Sequence, residues 1–491
     1  MQKVCLSIIV SLIVLGLLEL GSRLFESKLT SIGEDDGDGP GWQADFFASL
    51  FDWHQPDPDL LWRLKPNLDQ RLIKTGSRHF IGEEVEYNKP KGVKRVFILG
   101  DSSPVGLGLP SYRLSFANLT ATRLNMDSAS GMRVELINAS TPGHSSEQLV
   151  RLMEWEGWKY DPDAVILFCG NNDASISGCK SDRELMAGQR LVGVRRLAAK
   201  LALYRVIRSL LCRAVATEEP EEALVVRVGP DRFAENLQRL ADQCHRRDVP
   251  LLVVCPPAPR LWPAGLQFKP ISRLRTADGG VIMPPGLKAV LDRPMKYCLD
   301  QSIFRSLYGE GDLFTREVYQ SAFNDSLQAE GAVELYSARV RSDPQDFISL
   351  NNLGVSYWQA GDYDVADNLL REAREVFAQG LGDAPSEADR SAGSVFLYNI
   401  GINLRSMADD YKAGVYLDSA LQEDYFSLRI KRPYVEAISQ ISEQPGVTLI
   451  DLPRLFAENG GEGLFIDHCH PTARGHSLIA DCLVEVLKGV L

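Results

Sequence analysis

Four short polar stretches carry the side chains that acyl transfer needs. Gly100-Asp101-Ser102-Ser103 holds two hydroxyls, Gly143 follows a proline, Gly170-Asn171-Asn172-Asp173 holds two amides, and Asp467 precedes His470 by three residues. A hydroxyl is a weak nucleophile until a neighbouring imidazole takes its proton, and the imidazole needs a carboxylate to fix its tautomer. Ser102, His470 and Asp467 can fill those roles, in the chain order Ser, Asp, His. The tetrahedral intermediate puts negative charge on the former carbonyl oxygen, which must meet preorganised donors. The backbone N–H groups of Ser102 and Gly143 and the side-chain amide of Asn172 are the candidates for that oxyanion hole. Glycine lets a backbone approach a substrate without a Cβ in the way. An asparagine amide donates without a charge that would compete for the proton.

Each residue also has an ordinary job. Ser102 would suit the cap of a following helix, and Asp101 and Asp173 suit the bonding of turn amides. Ser103 is the alternative nucleophile. His468 and Cys469 extend the last cluster towards a metal site, but adjacent ligands in one turn, with no second cluster, make a poor one. Neither a metal nor an organic cofactor is expected. His476 is expected to pack or hydrogen-bond on the last helix, and His144, next to Gly143, could line the pocket.

Something must bring positions near 102 and 470 together. Five apolar runs read as buried strands: Val96–Leu99, Val134–Ile137, Ala164–Phe168, Leu251–Cys255 and Val447–Ile450. Helical-period segments such as Asp231–Arg247 lie between most of them, a pattern that implies a parallel sheet covered on both faces. Ligands of such sheets collect beyond the carboxyl ends of the strands. The first three polar stretches each follow a strand, and Asp467-x-x-His470 follows the fifth after a short helix.

On these residues the sequence resembles the SGNH hydrolase superfamily, which includes the GDSL esterases. The matching blocks are Gly100-Asp101-Ser102, Gly143, Gly170-Asn171-Asn172-Asp173 and Asp467-His468-Cys469-His470. The resemblance implies Ser102 as nucleophile, Asp467 and His470 as its triad partners, and Ser102, Gly143 and Asn172 as the oxyanion hole. It also implies a three-layer α/β/α flavodoxin-like fold. The phrases "DPDLLWRLKPN" and "EYNKPKGVKRVFILGDSS" look like the membrane-anchored bacterial branch. Ser103 departs from the family, whose next letter is commonly leucine.

A helical stretch separates the fourth and fifth strands. Leu353, Gly354, Tyr357, Ala366, Leu370 and Ala373 stand at the offsets of a tetratricopeptide repeat, and Ile400, Gly401, Leu404, Ala413, Leu417 and Ala420 repeat them 47 residues on. The Gly380–Gly393 segment lengthens the usual period of about 34. Such an insertion either packs on its host or offers a groove to a protein partner.

The chain of 491 residues exceeds one ordinary core. Its net charge of −12 argues against a nucleic-acid partner. Nine cysteines include no Cys-x-x-Cys pair and leave one over. Residues 4–18 are apolar on every face, too short for a comfortable span of about 17–25 residues and without a small-residue cleavage site after them. An uncleaved signal anchor is expected there, with the body exported to the periplasmic side. The basic segment Arg190–Arg213 has one packed and one solvated face, or lies on an anionic membrane. The expected units are an anchor (1–28), an acidic Gly-rich linker (29–56), a hydrolase domain in two parts (57–310 and 426–491) and a helical insertion (311–425). The expected function is hydrolysis of small O-acyl esters, acetyl among them, on an extracytoplasmic glycan. An O-acyltransferase using the same triad and a non-catalytic repeat scaffold are the rival functions.

Overall fold

The computed structural model describes residues 53–57, 59–126, 133–178, 180–187, 225–264, 296–298, 329–381, 387–425 and 428–491. The expected anchor, the basic segment and most of 257–286 lie outside them. Among the described residues no helix is long and apolar enough to cross a membrane. The globular body begins slightly before position 57. Strand β1 (His54–Asp57) pairs antiparallel with β2 (Leu61–Leu64), so the end of the expected linker already belongs to a hairpin.

The centre is a five-stranded parallel sheet. Strand β3 (Val93–Gly100) leads into a one-turn helix α1 (Ser102–Val105) and then α2 (Phe116–Met126). Next come β4 (Arg133–Asn138), α3 (Ser146–Trp155) and β5 (Ala164–Phe168). A small antiparallel pair, β6 (Ile176–Gly178) and β7 (Val225–Val226), precedes α4 (Pro230–His245) and β8 (Leu251–Cys255). After the insertion, α10 (Arg432–Ile441), β9 (Val447–Asp451), α11 (Leu452–Asn459) and α12 (Ala473–Val490) complete the body. The labels α5 to α9 belong to the insertion: α5 (Ala329–Ser342), α6 (Phe347–Gln359), α7 (Tyr363–Gly380), α8 (Glu387–Ser406) and α9 (Asp410–Glu423).

The sheet order is β4-β3-β5-β8-β9, with every neighbouring pair parallel. Strand side chains alternate between faces. Val96, Ile98, Ile166, Phe168, Leu252 and Val254 therefore meet α2 and α12 on one face, while Phe97, Leu99, Val165, Leu167 and Val253 meet α3, α4 and α10 on the other. The result is three layers, as continuous apolar runs predict for a sheet buried on both sides.

The chain winds outward in both directions from β3, towards β4 on one side and β5 on the other. Successive crossovers there leave opposite faces, opening a crevice beyond the carboxyl ends of β3 and β5. Ser102 and Asn172 sit in those two turns.

In the insertion, each of two helix pairs closes on a glycine. A Cβ on Gly354 would stand 2.8 Å from Leu370 Cγ, and one on Gly401 would stand 2.8 Å from Leu417 Cγ. Asp362 and Asp409 cap α7 and α9 in the same manner, each accepting from the backbone N–H three residues on. The second pair packs onto the body through Leu397, Tyr398, Leu417 and Ala420, which join the cluster on the α2/α12 face.

Candidate active site

The turn after β3 is built to carry a hydroxyl. Gly100 has no room for a Cβ, which would meet Pro104 Cγ at 2.5 Å and Ser140 Oγ at 2.9 Å. Asp101 caps α1 by accepting from Ser103 N–H at 2.9 Å. Ser102 thus begins a helix of four residues, which ends at Gly106 with φ of 85°.

The last polar stretch brings an imidazole to that hydroxyl. Asp467 Oδ1 accepts from the backbone N–H groups of Cys469 at 2.9 Å and His470 at 2.8 Å, which folds the segment into a tight turn. Its other oxygen, Oδ2, lies 2.6 Å from His470 Nδ1. An ionised carboxylate only accepts, so Nδ1 carries the proton. His470 Nε2 stands 2.7 Å from Ser102 Oγ. In the neutral ring Nε2 has a free lone pair, and the hydroxyl donates to it. Ser103 is fully buried and its Oγ has no hydrogen-bond partner among the described residues, so the imidazole selects Ser102 between the two hydroxyls.

Charge reinforces the geometry. Burial works against ionisation of Asp467, yet His470, His468 and the two backbone donors outweigh it and hold the carboxyl well below its usual range. Burial likewise opposes charge on His470, and the Asp467 carboxylate overcomes it and raises the imidazole well above its ordinary value.

The other two turns approach through Asn172. Thr141-Pro142-Gly143-His144 is closed by His144 N–H donating to Thr141 O at 3.1 Å, and Gly143 has φ of 82°. Proline followed by a glycine of positive φ is the signature of a type II turn. Asn172 Nδ2 donates to His144 O at 3.1 Å and, more weakly, to Asp101 Oδ2 at 3.4 Å. One amide therefore ties the turn after β5 to those after β4 and β3. Asp173 is structural: its carboxylate accepts from Ser146 N–H at 2.8 Å and Gly170 N–H at 3.0 Å. Burial raises Asp101 to about 7 and Asp173 to about 6, each opposed by its backbone donors.

Asp467, His468, Cys469 and His470 offer donor atoms within 4.8 Å of one another. They fit hydrogen bonding better than metal ligation. Both nitrogens of His470 are engaged, and burial pushes the Cys469 thiol up to about 12, whereas a metal needs the thiolate. His476 hydrogen-bonds as expected, its Nδ1 accepting from Phe116 N–H at 3.0 Å, while His144 Nε2 donates to Trp62 O at 2.9 Å.

Two aromatic residues escaped the sequence reading. Trp62, on β2, covers the Gly143 turn: its Nε1 donates to Pro142 O at 3.1 Å, and a Cβ on Gly143 would stand 3.2 Å from its ring. Trp62 lies in the quoted "DPDLLWRLKPN" phrase, but nothing local ties that phrase to position 143. Trp262, beyond β8, is fully buried with its ring 6.1 Å from that of His468, which in turn meets His470 edge-on at 5.5 Å.

No protein-family model matches the chain, and no curated protein matches it. Among solved structures it is similar to TesA, at 17% identity over 34% of this chain and 62% of that one, with a TM-score of 0.21. It is similar to a lipase/acylhydrolase from Enterococcus faecalis at 18% identity, over 34% of this chain and 58% of that one, with a TM-score of 0.21. The chain thus spans about three fifths of the length of these two. An acetyl xylan esterase, AlAXEase, aligns at 12% identity over 80% of this chain and 99% of that one, with a TM-score of 0.31.

Proposed function

We propose that the protein is a serine ester hydrolase of SGNH type, with Ser102 as nucleophile, His470 as general base and acid, and Asp467 as the carboxylate that orients it. The observation that carries this is the relay from Asp467 Oδ2 through both nitrogens of His470 to Ser102 Oγ, with steps of 2.6 and 2.7 Å. Both lie within the hydrogen-bonding reach that proton transfer requires.

Ser102 Oγ attacks the ester carbonyl carbon as its proton passes to His470 Nε2. The oxyanion is met by the N–H groups of Ser102 and Gly143 and by Asn172 Nδ2. The amide hydrogen directed at Asp101 is the one to turn, because its bond is the longer of the two. The bond to the leaving alcohol breaks as His470 returns the proton to that oxygen. Water, deprotonated by the same ring, then attacks the acyl-serine, and the acid departs with Ser102 restored.

The substrates we assign are small O-acyl groups such as acetyl on an extracytoplasmic glycan, with residues 1–28 as a membrane anchor and the insertion as a tetratricopeptide-like unit. The sequence resemblance and the apolar run at 4–18 support these finer points.

A fluorophosphonate probe tests the chemistry. It should modify wild-type protein at Ser102, found by peptide mapping, and leave Ser102→Ala unmodified. Mapping to Ser103, or equal labelling of Ser102→Ala, would overturn the assignment. Acetate release from an acetylated glycan, against p-nitrophenyl esters of increasing chain length, tests the substrate class; a preference for long acyl chains would refute it.

A further inference from the structure

The groove of the helical insertion is filled by the chain's own backbone. Lys296 N–H donates to Asn352 Oδ1 at 2.7 Å, and Cys298 N–H donates to Asn399 Oδ1 at 2.8 Å. Asn352 and Asn399 are the same position of the two helix pairs, 47 residues apart. Each pair therefore takes one N–H, two residues apart along the segment. Lys296 O accepts from both Asn351 Nδ2 and Asn399 Nδ2 at 3.0 Å, and Asn399 Nδ2 also donates to Asn351 Oδ1 at 2.8 Å. The Cys298 side chain is buried among Val355, Leu370, Ile400 and Leu404.

Grip on this segment leads towards the hydrolase site. Tyr297 donates its hydroxyl to Ala264 O at 3.1 Å, and Tyr398, next to Asn399, donates to Leu261 O at 2.9 Å. Arg429, fully buried and paired with Asp424 at 2.8 Å, donates to Pro259 O and Trp262 O at 2.8 and 3.2 Å. The carbonyls of Pro259, Leu261, Trp262 and Ala264 are thus held by Tyr398 of the insertion, by Tyr297 of the gripped segment and by Arg429 just after the insertion. Trp262 packs on His468, whose ring nitrogens make no hydrogen bond and whose ring abuts His470. His468 Nδ1 also lies 3.4 Å from Asp467 Oδ1.

We infer that the insertion is a positioning device for the catalytic histidine: through Tyr398, Tyr297 and the gripped Lys296–Cys298 segment it presses Trp262 against His468 and so keeps the His470 ring aligned on Ser102. The inference rests on the hydrolase assignment above. It also gives the asparagine groove an occupant in cis, in place of the partner protein that a repeat array otherwise suggests. A misplacement of about 1 Å at a reacting group can cost on the order of 10²-fold in rate, so a wall of this kind has leverage on turnover.

Tyr398→Phe removes one hydroxyl and leaves the helix intact. It should slow fluorophosphonate labelling and lower kcat about 3- to 10-fold, with KM for a small ester unchanged. Trp262→Ala should lower kcat about 30- to 100-fold, and Trp262→Phe should restore it to within about threefold of wild type, since a ring can still bear on His468. Asp362→Ala is the control: it removes the cap that accepts from Val365 N–H at the start of α7, touches none of the gripping asparagines, and should lower the melting temperature without altering kcat. Wild-type kcat in Tyr398→Phe together with Trp262→Ala would overturn the inference while leaving the hydrolase standing. Should Trp262→Ala fail to fold, wild-type kcat in Tyr398→Phe alone would overturn it. Failure of the probe to label even wild-type protein would instead remove the hydrolase, and this inference with it.

Discussion

The Ser102–His470 corner and the asparagine groove both bury polar side chains, and they use them in opposite ways. In the groove, Asn351, Asn352 and Asn399 satisfy one another and the backbone of Lys296–Cys298, leaving an apolar-like filling of matched amides. At the corner, Ser103 Oγ, Ser140 Oγ, His144 Nδ1, Asn171 Nδ2 and both nitrogens of His468 lie buried without hydrogen bonds among the described residues. Unpartnered buried polar groups cost about 1–3 kcal/mol each, and such costs cluster where chemistry is done. A satisfied network holds a segment still. An unsatisfied one leaves hydrogen-bonding capacity unspent.

The contrast can be broken in order of effect. Asp467→Asn should be the most damaging single change, lowering kcat by about 10⁴-fold, because an amide can hydrogen-bond the ring while favouring the wrong tautomer. Its fold should survive, so a lost melting transition in that variant would recast Asp467 as a structural group. Asn172→Ala should cost about 10²–10³ in kcat with little change in KM; a KM effect alone would move Asn172 from the oxyanion hole to substrate binding. In the insertion, Gly354→Ala and Gly401→Ala each force a methyl to within 2.8 Å of a leucine. Each should lower stability by about 1–3 kcal/mol in denaturant titration. The two costs should agree to within about 0.5 kcal/mol, and a wide disparity would show that the helix pairs are not physically equivalent.

The smallest effect is a shift along the pH axis. His470 must be neutral to accept the Ser102 proton, and its pKa is raised, so kcat/KM should climb with pH to a midpoint above the ordinary imidazole value of 6.5. Asp467→Asn removes the raising charge and should move the residual profile towards lower pH. The matching stability term has a defined sign. The His470 contribution is complete below the unfolded-state pKa and fades as pH rises through the folded one; the Asp467 contribution is complete above its unfolded value and fades as pH falls. The pair therefore stabilises most between those limits. A profile centred below 6.5 would contradict the ion pair.

Much of the body could be read from residues because its signals are local. Leu251–Cys255 and Ala164–Phe168 are uninterrupted apolar runs, and both become strands with those bounds. The turn after each strand inherits its place from the sheet, which is why Ser102 and Asn172 could be located in advance. Trp62 and Trp262 could not. Their partners, Gly143 and His468, are 81 and 206 residues away, and a short hairpin or an irregular loop carries no periodicity to announce where it will land. The glycine offsets announced the helix pairs, but Asn352 and Asn399 look like ordinary polar positions of a helix until the Lys296–Cys298 backbone meets them.

Ser102 and His470 are 368 residues apart in sequence, and the insertion lies between them. A ribosome therefore releases Ser102, then the whole helical array, and only afterwards His470. Throughout translation the emerging polypeptide carries an inert alcohol. The contact between Ser102 Oγ and His470 Nε2 can form only once β9 and the turn beyond it have been made.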